Sequence, residues 1–292
     1  MKQERFTCLI IWLLIYIGFS CTRTIERKAE NSFTDDLGRE ITIHSTSRIL
    51  SLTPSVTELI ATFIGQDRII ARTPYDSLPE WLLDKPLISN YPVDFEKIIA
   101  MAPDLVLAKE GMVSMEDVQK ISDLGIPVYM QRIDSLSDIT RSIRRLGLLL
   151  DREAKANQVA DSLEKVISSV SYPDKPGKRP SVLLLISEEP VFAYGLNSYA
   201  SDIIVAAGGK NAIPTLYDNP FPALQREYIL KINPDIIIGV DSSAMLRLYP
   251  ELSVLKAFSS GSVHKMNMEL ISKPGPRVAE GIKELNRLIY AH

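Results

Sequence analysis

The chain has 292 residues, too many for one small core and enough for two lobes of ordinary domain size. Apolar residues make up 46% and charged residues 24%, the proportions of a globular chain without low-complexity tracts. A formal net charge of -3 excludes the strong positive field expected of a nucleic-acid binder.

In chain order, Lys2 and Arg5 precede an apolar run from Cys8 to Phe19. About twelve residues are too few to span a bilayer as a mature helix, but they match the apolar region of a secretory leader. Residues 1–20 are therefore expected to be a signal peptide and 21–34 a flexible polar tether. The run ends at Gly18-Phe19-Ser20-Cys21, which resembles a lipoprotein signal, so Cys21 is expected to be acylated and to anchor the protein to a bacterial membrane, in the periplasm or at the cell surface. The alternative is a plain secretory leader with Cys21 incidental. Cys8 would leave with the leader, and the single remaining Cys excludes an internal disulfide.

Residues 35–150 read as an α/β lobe. The run Arg48 to Leu52 leads into Thr53-Pro54-Ser55, where Thr53 suits a helix N-cap and Pro54 the first helical position. Arg68 to Ala71, Pro86 to Ser89, Leu105 to Ala108 and Pro127 to Met130 read as further strands between helical patterns. Strands alternating with helices give a largely parallel sheet. From 151 to 172 the spacing of Ala156, Val159, Ala160, Leu163, Val166, Ile167 and Val170 predicts one long connecting helix, capped by Asp151. A Pro- and Gly-rich break follows, and residues 173–292 read as a second α/β lobe, with strands at Val182 to Ile186 and Ile236 to Val240 and a closing helix from Pro276 to Tyr290.

The lobes share a repeat. DFEKIIAMAPDLVLA (Asp94 to Ala108) and QREYILKINPDIIIG (Gln225 to Gly239) each place a Glu at the opening of a short helix, a Pro-Asp pair at its end and an apolar strand after it. Matched lobes imply a cleft between them, with one acid, Glu96 or Glu227, at the same place on each.

The order of leader, tether, RILSLTPSVTELIATFIG, FEKIIAMAPDLVLA, connecting helix, REYILKINPDIII and KPGPRVAEGIKEL resembles the helical-backbone substrate-binding proteins of ABC importers for cobalamin and iron complexes, most of all the cobalamin-binding group. The resemblance runs from about Asp35 to the end. It implies two Rossmann-like lobes joined by one long backbone helix. It also implies a monomeric carrier with no cofactor of its own that binds a corrinoid or iron chelate, and docking of Glu96 and Glu227 into arginine pockets on the membrane permease. First-turn acids also complement their own helix dipole, which is the alternative role for both.

Open α/β sheets bind ligands beyond the carboxyl ends of their strands. Thr53, Pro54, Ser55, Tyr75 and Tyr91 (with Asn90) are the candidates in the first lobe; Tyr194, Asn197, Phe221 and Arg277 are those in the second. Aromatic rings suit a macrocycle. Arg277 could equally bind a ligand acid or brace its turn, and Trp81 reads as packing. The three histidines, His44, His264 and His292, lack paired spacing, so no metal site of the protein's own is expected and a metal would arrive inside its chelate. Haem would need an axial Tyr or His, for which Tyr75, Tyr91, Tyr194 and Tyr199 are available. No GxSxG, P-loop, GxGxxG or HExxH motif is present, which leaves a secreted α/β hydrolase as a remote alternative. Ligand storage without a permease is a third.

Overall fold

The computed structural model describes residues 32–170 and 179–290; Cys8, Cys21, His292, most of the tether and the break at 171–178 lie outside them. The first half runs β1 (Ser32–Thr34), β2 (Glu40–Thr42), β3 (Ile49–Ser51), α1 (Pro54–Ala61), α2 (Phe95–Met101), β4 (Leu105–Lys109), α3 (Met115–Asp123) and β5 (Val128–Gln131). Helices α4 (Leu136–Leu149) and α5 (Glu153–Ser169) lead into the second half. That half runs β6 (Ser181–Glu188), β7 (Val191–Ala193), α6 (Tyr199–Ala206), β8 (Lys210–Asn211), α7 (Arg226–Ile232) and β9 (Ile236–Ile238). It closes with α8 (Ser242–Leu248), α9 (Lys256–Ser259), β10 (Val263–His264), α10 (Glu269–Ser272) and α11 (Val278–Ile289).

Each half carries its own sheet. The first has the order β3-β4-β5, all parallel, with Ile49 beside Leu105 and Val106 beside Val128. The second has the order β10-β9-β6-β7 with β8 also on β6, parallel except for the antiparallel β6–β7 pair. The expected strands at Arg68 to Ala71 and Pro86 to Ser89 shrink to single bridges, Ile49 to Ile69 and Arg72 to Leu87. Pro74, Pro79 and Pro86 interrupt that stretch, and a residue without an N–H cannot extend a ladder.

Alternation along the strands decides which core each side chain enters. Ile49, Leu105 and Leu107 face a central cluster, whereas Leu50, Val106 and Ala108 face an outer one. In the second sheet Val182 and Leu184 join the same central cluster, and Leu183 and Leu185 an outer one. Sheets buried on both faces explain why these strands read as continuous apolar runs.

The central cluster continues from α1 of the first lobe (Leu59, Ile60) through α4 and α5 to α6 and α11 of the second (Ile203, Leu285). Helix α4 packs on both α1 and α6, and α5 packs on α4 and α11. The connection is therefore a braced pair. Its α5 member has 17 residues, about 25 Å at 1.5 Å per residue. Asp151 does not cap it: the N-cap is Arg152, and Asp151 takes a φ of 56° in the tight reversal between the two helices.

That reversal is close because Gly147 faces Ala156, where an added Cβ would lie 2.2 Å from the Ala156 Cβ. Gly147→Ala is expected to lower unfolding free energy by about 1–3 kcal/mol through overpacking, despite its better helix propensity. Urea melts of the variant and of the Gly147→Ala/Ala156→Gly pair check this, since the pair should recover most of the loss.

The sequence repeat is also a repeat of geometry. Helices α2 and α7 have the same length and end in left-handed residues, Ala102 (φ 44°) and Asn233 (φ 41°). The Pro-Asp acids then pin the entry to each sheet. Asp104 accepts hydrogen bonds from Ser45 Oγ at 2.6 Å and Arg48 N at 2.9 Å, ahead of β3. Asp235 accepts from Ser181 N at 2.9 Å and Ser181 Oγ at 2.7 Å, at the start of β6.

Candidate ligand cleft and docking acids

One cavity of about 250 Å³ is lined from both lobes, beyond the carboxyl ends of β4 and β5 on one side and by the segment after β7 and residues 220–221 on the other. The first-lobe wall is the turn after β4, with Lys109, Glu110 and Met112, together with Asp134 after β5. Thr53 Oγ1 accepts the Lys109 N–H at 3.1 Å, and Met112 N donates to Lys109 O at 3.1 Å. Between them Gly111 takes a φ of 79°, which an L side chain rarely adopts.

The second-lobe wall is Asn197, Tyr199 and Phe221. Asn197 Nδ2 donates to Tyr217 O at 2.8 Å, and Gly195 N donates to Pro220 O at 2.8 Å, which ties the 194–198 loop to the segment carrying Phe221. Tyr194 meets Phe221 edge to face, with ring centroids 5.6 Å apart, and Tyr199 likewise at 6.4 Å. Burial pushes the Tyr194 phenol up to about 12 and Tyr199 well above its ordinary value. Tyr199 OH further donates to Ile271 O at 2.7 Å.

Of the residues expected at the site from sequence, Asn197 and Phe221 line this cavity, and Tyr194 backs Phe221. Thr53, Pro54 and Ser55 are buried beneath the first-lobe wall, where Thr53 holds Lys109 in place. Tyr75 and Tyr91 are 70% and 90% exposed and line neither this cavity nor the one described below. Asn90 is buried, and Trp81 packs against the central core.

Of the two roles weighed for Arg277, the bracing one has a visible partner, because its guanidinium is engaged within the protein. Its Nε and Nη2 grip both oxygens of Glu58 on α1, the second contact at 2.9 Å, and Glu269 lies 3.6 Å away. Burial pulls the Arg277 pKa down, but Glu58 more than offsets it and the group stays firmly charged. The brace it forms crosses from the second lobe to the first. Lys273, in the same turn, reaches Ser77 Oγ at 3.4 Å.

Lys109, Glu110, Met112 and Asp134 were missed from sequence. The signal was available, since Leu105 to Ala108 reads as a strand and ligands gather beyond strand ends. Proline, aromatic and Asn-rich loops drew attention instead.

Glu96 and Glu227 are the second residues of α2 and α7, and both are exposed. Each helix precedes a strand parallel to its neighbour, so it runs back along the sheet and starts at the carboxyl end. The two acids therefore occupy equivalent positions on the cleft side of their own sheets. Arg226 Nε donates to Glu227 at 2.9 Å and holds its carboxyl below the usual range.

A larger hollow, about 590 Å³, lies at the opposite, amino ends of the second sheet, beside Ser181, Lys210 and Asp235. Its size is not a reason to prefer it. Among the described residues no three His, Cys, Asp or Glu side chains converge to hold a metal ion.

Residues 49–273 match the family model described as periplasmic binding protein. The uncharacterized ABC transporter substrate-binding lipoprotein YvrC of Bacillus subtilis is 26% identical over 266 residues, spanning 88% of this chain and 84% of the relative. The vitamin B12-binding protein of Vibrio parahaemolyticus is 23% identical over 243 residues, 82% of this chain and 87% of the relative. The crystal structure of a possible iron-binding periplasmic solute-binding protein from Staphylococcus epidermidis superposes with a TM-score of 0.72 at 26% identity, over 84% of this chain and 98% of that one. The chain belongs to the periplasmic binding protein family. Within it, the protein is a two-lobed, helical-backbone substrate-binding protein of the ABC importer class, an extracytoplasmic ligand carrier and not an enzyme.

Proposed function

We propose that this carrier takes a corrinoid, cobalamin first, between the Lys109 turn and the Asn197–Phe221 wall and delivers it to an ABC permease. The observation that carries the reading is a cavity lined from both lobes, with one repeated exposed acid in the first turn of a matching helix on each. Glu96 and Glu227 are the docking groups, because carboxylates on two lobe tips can form charge-assisted hydrogen bonds with arginines and fix one orientation. Cys21 carries the lipid anchor and the carrier works as a monomer. Vitamin B12-binding relatives support the corrinoid.

An iron siderophore is the second reading, supported by the family of iron-complex binders. Haem is less well served. Axial ligation by tyrosinate would call on Tyr194, which stands behind Phe221, on Tyr199, whose hydroxyl already donates to Ile271 O, or on Tyr75 or Tyr91, outside the cavity. Any macrocycle exceeds about 250 Å³, so the exposed Met112 and Phe221 must move aside or leave part of the ligand in the mouth.

Isothermal titration of the mature chain with cyanocobalamin, haemin and a ferric siderophore in parallel tests the reading. One-to-one binding of cobalamin at micromolar affinity or better is expected. Binding of the siderophore alone would transfer the function to the second reading, and binding of none would end both.

A further inference from the structure

The cleft holds a cation that the fold does not use. Lys109 bonds Thr53 through its backbone N–H, but among the described residues its ammonium makes no hydrogen bond and no ion pair. The acids near it are otherwise disposed. Glu110 is gripped by Arg132 through two contacts, one at 2.7 Å and one shorter. Asp134 stands exposed at the cavity rim, beyond ion-pair distance.

Burial holds the Lys109 pKa below the ordinary lysine range, against the opposing pull of Asp134 and Glu110. A partly desolvated ammonium without a partner is unfavourable in the free protein, and an anion entering beside it relieves that penalty. A rim acid in water gains far less from a ligand cation, because the surrounding dielectric is high. Around Lys109 the cavity also offers exposed apolar surface, Met112 on its own wall and the Phe221 ring on the other.

We propose that Lys109 is a specificity-determining residue that receives an anionic oxygen of the chelate, while the flat or apolar part of the ligand rests on Phe221 and Met112. This rests on the receptor reading above and narrows it: chelates with an accessible acid are taken in preference to neutral ones carrying the same metal. Carboxylate, phosphodiester and phenolate oxygens share the chemistry required.

Four probes separate those sources: haemin (carboxylates), cyanocobalamin (phosphodiester), a ferric tris-catecholate (phenolates) and a neutral ferric tris-hydroxamate as control. Each is titrated into the mature wild type, Lys109→Met and Lys109→Arg. The wild type is expected to prefer at least one acid-bearing probe over the hydroxamate. Lys109→Met should lose about tenfold or more in affinity for that probe, the scale of a charged hydrogen bond, and Lys109→Arg should keep most of it.

The ligand-free melting temperature supplies an independent readout. Removing an unpaired, partly desolvated charge should leave it unchanged or higher in Lys109→Met, whereas a merely structural lysine would lower stability and affinity together. Unaltered affinity in Lys109→Met, a wild type that prefers the hydroxamate, or a lowered melting temperature that accounts for the affinity loss would each overturn the role of Lys109 and leave the receptor reading standing. A wild type that binds none of the four probes would overturn both.

Discussion

Arg277→Met is expected to destabilise the protein by about 3 kcal/mol, the low end of the cost of stripping one partner from a buried ion pair. The variant leaves the Glu58 carboxylate, on a helix packed into the central core, without its guanidinium. Glu58→Gln should cost less, because Arg277 retains Glu269 at 3.6 Å and the amide still accepts one hydrogen bond. In a chain of this size the Arg277→Met loss corresponds to a fall of about 6–12 °C in melting temperature.

Urea melts of both single variants and the Glu58→Gln/Arg277→Met double variant give the coupling energy, expected to exceed about 1 kcal/mol for groups in direct contact. A single variant within 0.5 kcal/mol of wild type would remove the brace from the account. The same proteins settle the other role considered for Arg277. If it binds ligand, affinity falls in Arg277→Met and is spared in Glu58→Gln; if it only braces the lobes, affinity follows stability in both.

The second large effect falls on transport. Glu96→Lys/Glu227→Lys is expected to reduce uptake by more than tenfold while leaving ligand affinity and melting temperature near wild type. Both side chains are exposed, and neither lines the cleft cavity. On the docking proposal, reversal replaces two charge-assisted contacts by repulsion from arginines of the permease, and losing one such contact at an interface costs about 2–5 kcal/mol. Single reversals should each lose part of the activity. For Glu227→Lys the adjacent Arg226 loses the nearer of its two carboxylates and keeps only Glu251 at 3.4 Å, so its effect should be the larger. Uptake measured in cells depleted of the native carrier decides the matter. Undiminished uptake in the double variant would point to storage, or to a different route of delivery.

Much of the architecture was legible because it is written in local pattern. The runs at 105–108 and 182–185 are apolar without interruption since both faces of their strands are buried, and the doubled Pro-Asp motif marks a repeated staple at each sheet entrance. The α5 periodicity was equally plain, although its first residue was not. Asp151 has the chemistry of a cap, but it takes a left-handed conformation in the tight reversal where Gly147 meets Ala156, and the cap falls on Arg152.

The cleft was only half legible. Asn197 and Phe221 announced themselves as loop residues of the right type, whereas Lys109 and Met112 looked like the fraying end of a strand. Glu58 read as one more helix residue, and its pairing with Arg277 joins positions 219 residues apart.

By itself the sequence determined the elements that depend on near neighbours: helix spacing, strand runs, the repeated acid and Pro-Asp units, and hence two α/β lobes of one family. The tertiary structure decided what depends on partners distant along the chain. It placed α4 between both lobes, gave Arg277 to Glu58 and, among the described residues, left the Lys109 ammonium without a partner. The reason is physical. Propensity and periodicity act over a turn or two of backbone, while the strength of a charge is set by the dielectric and the opposite charges that folding assembles around it.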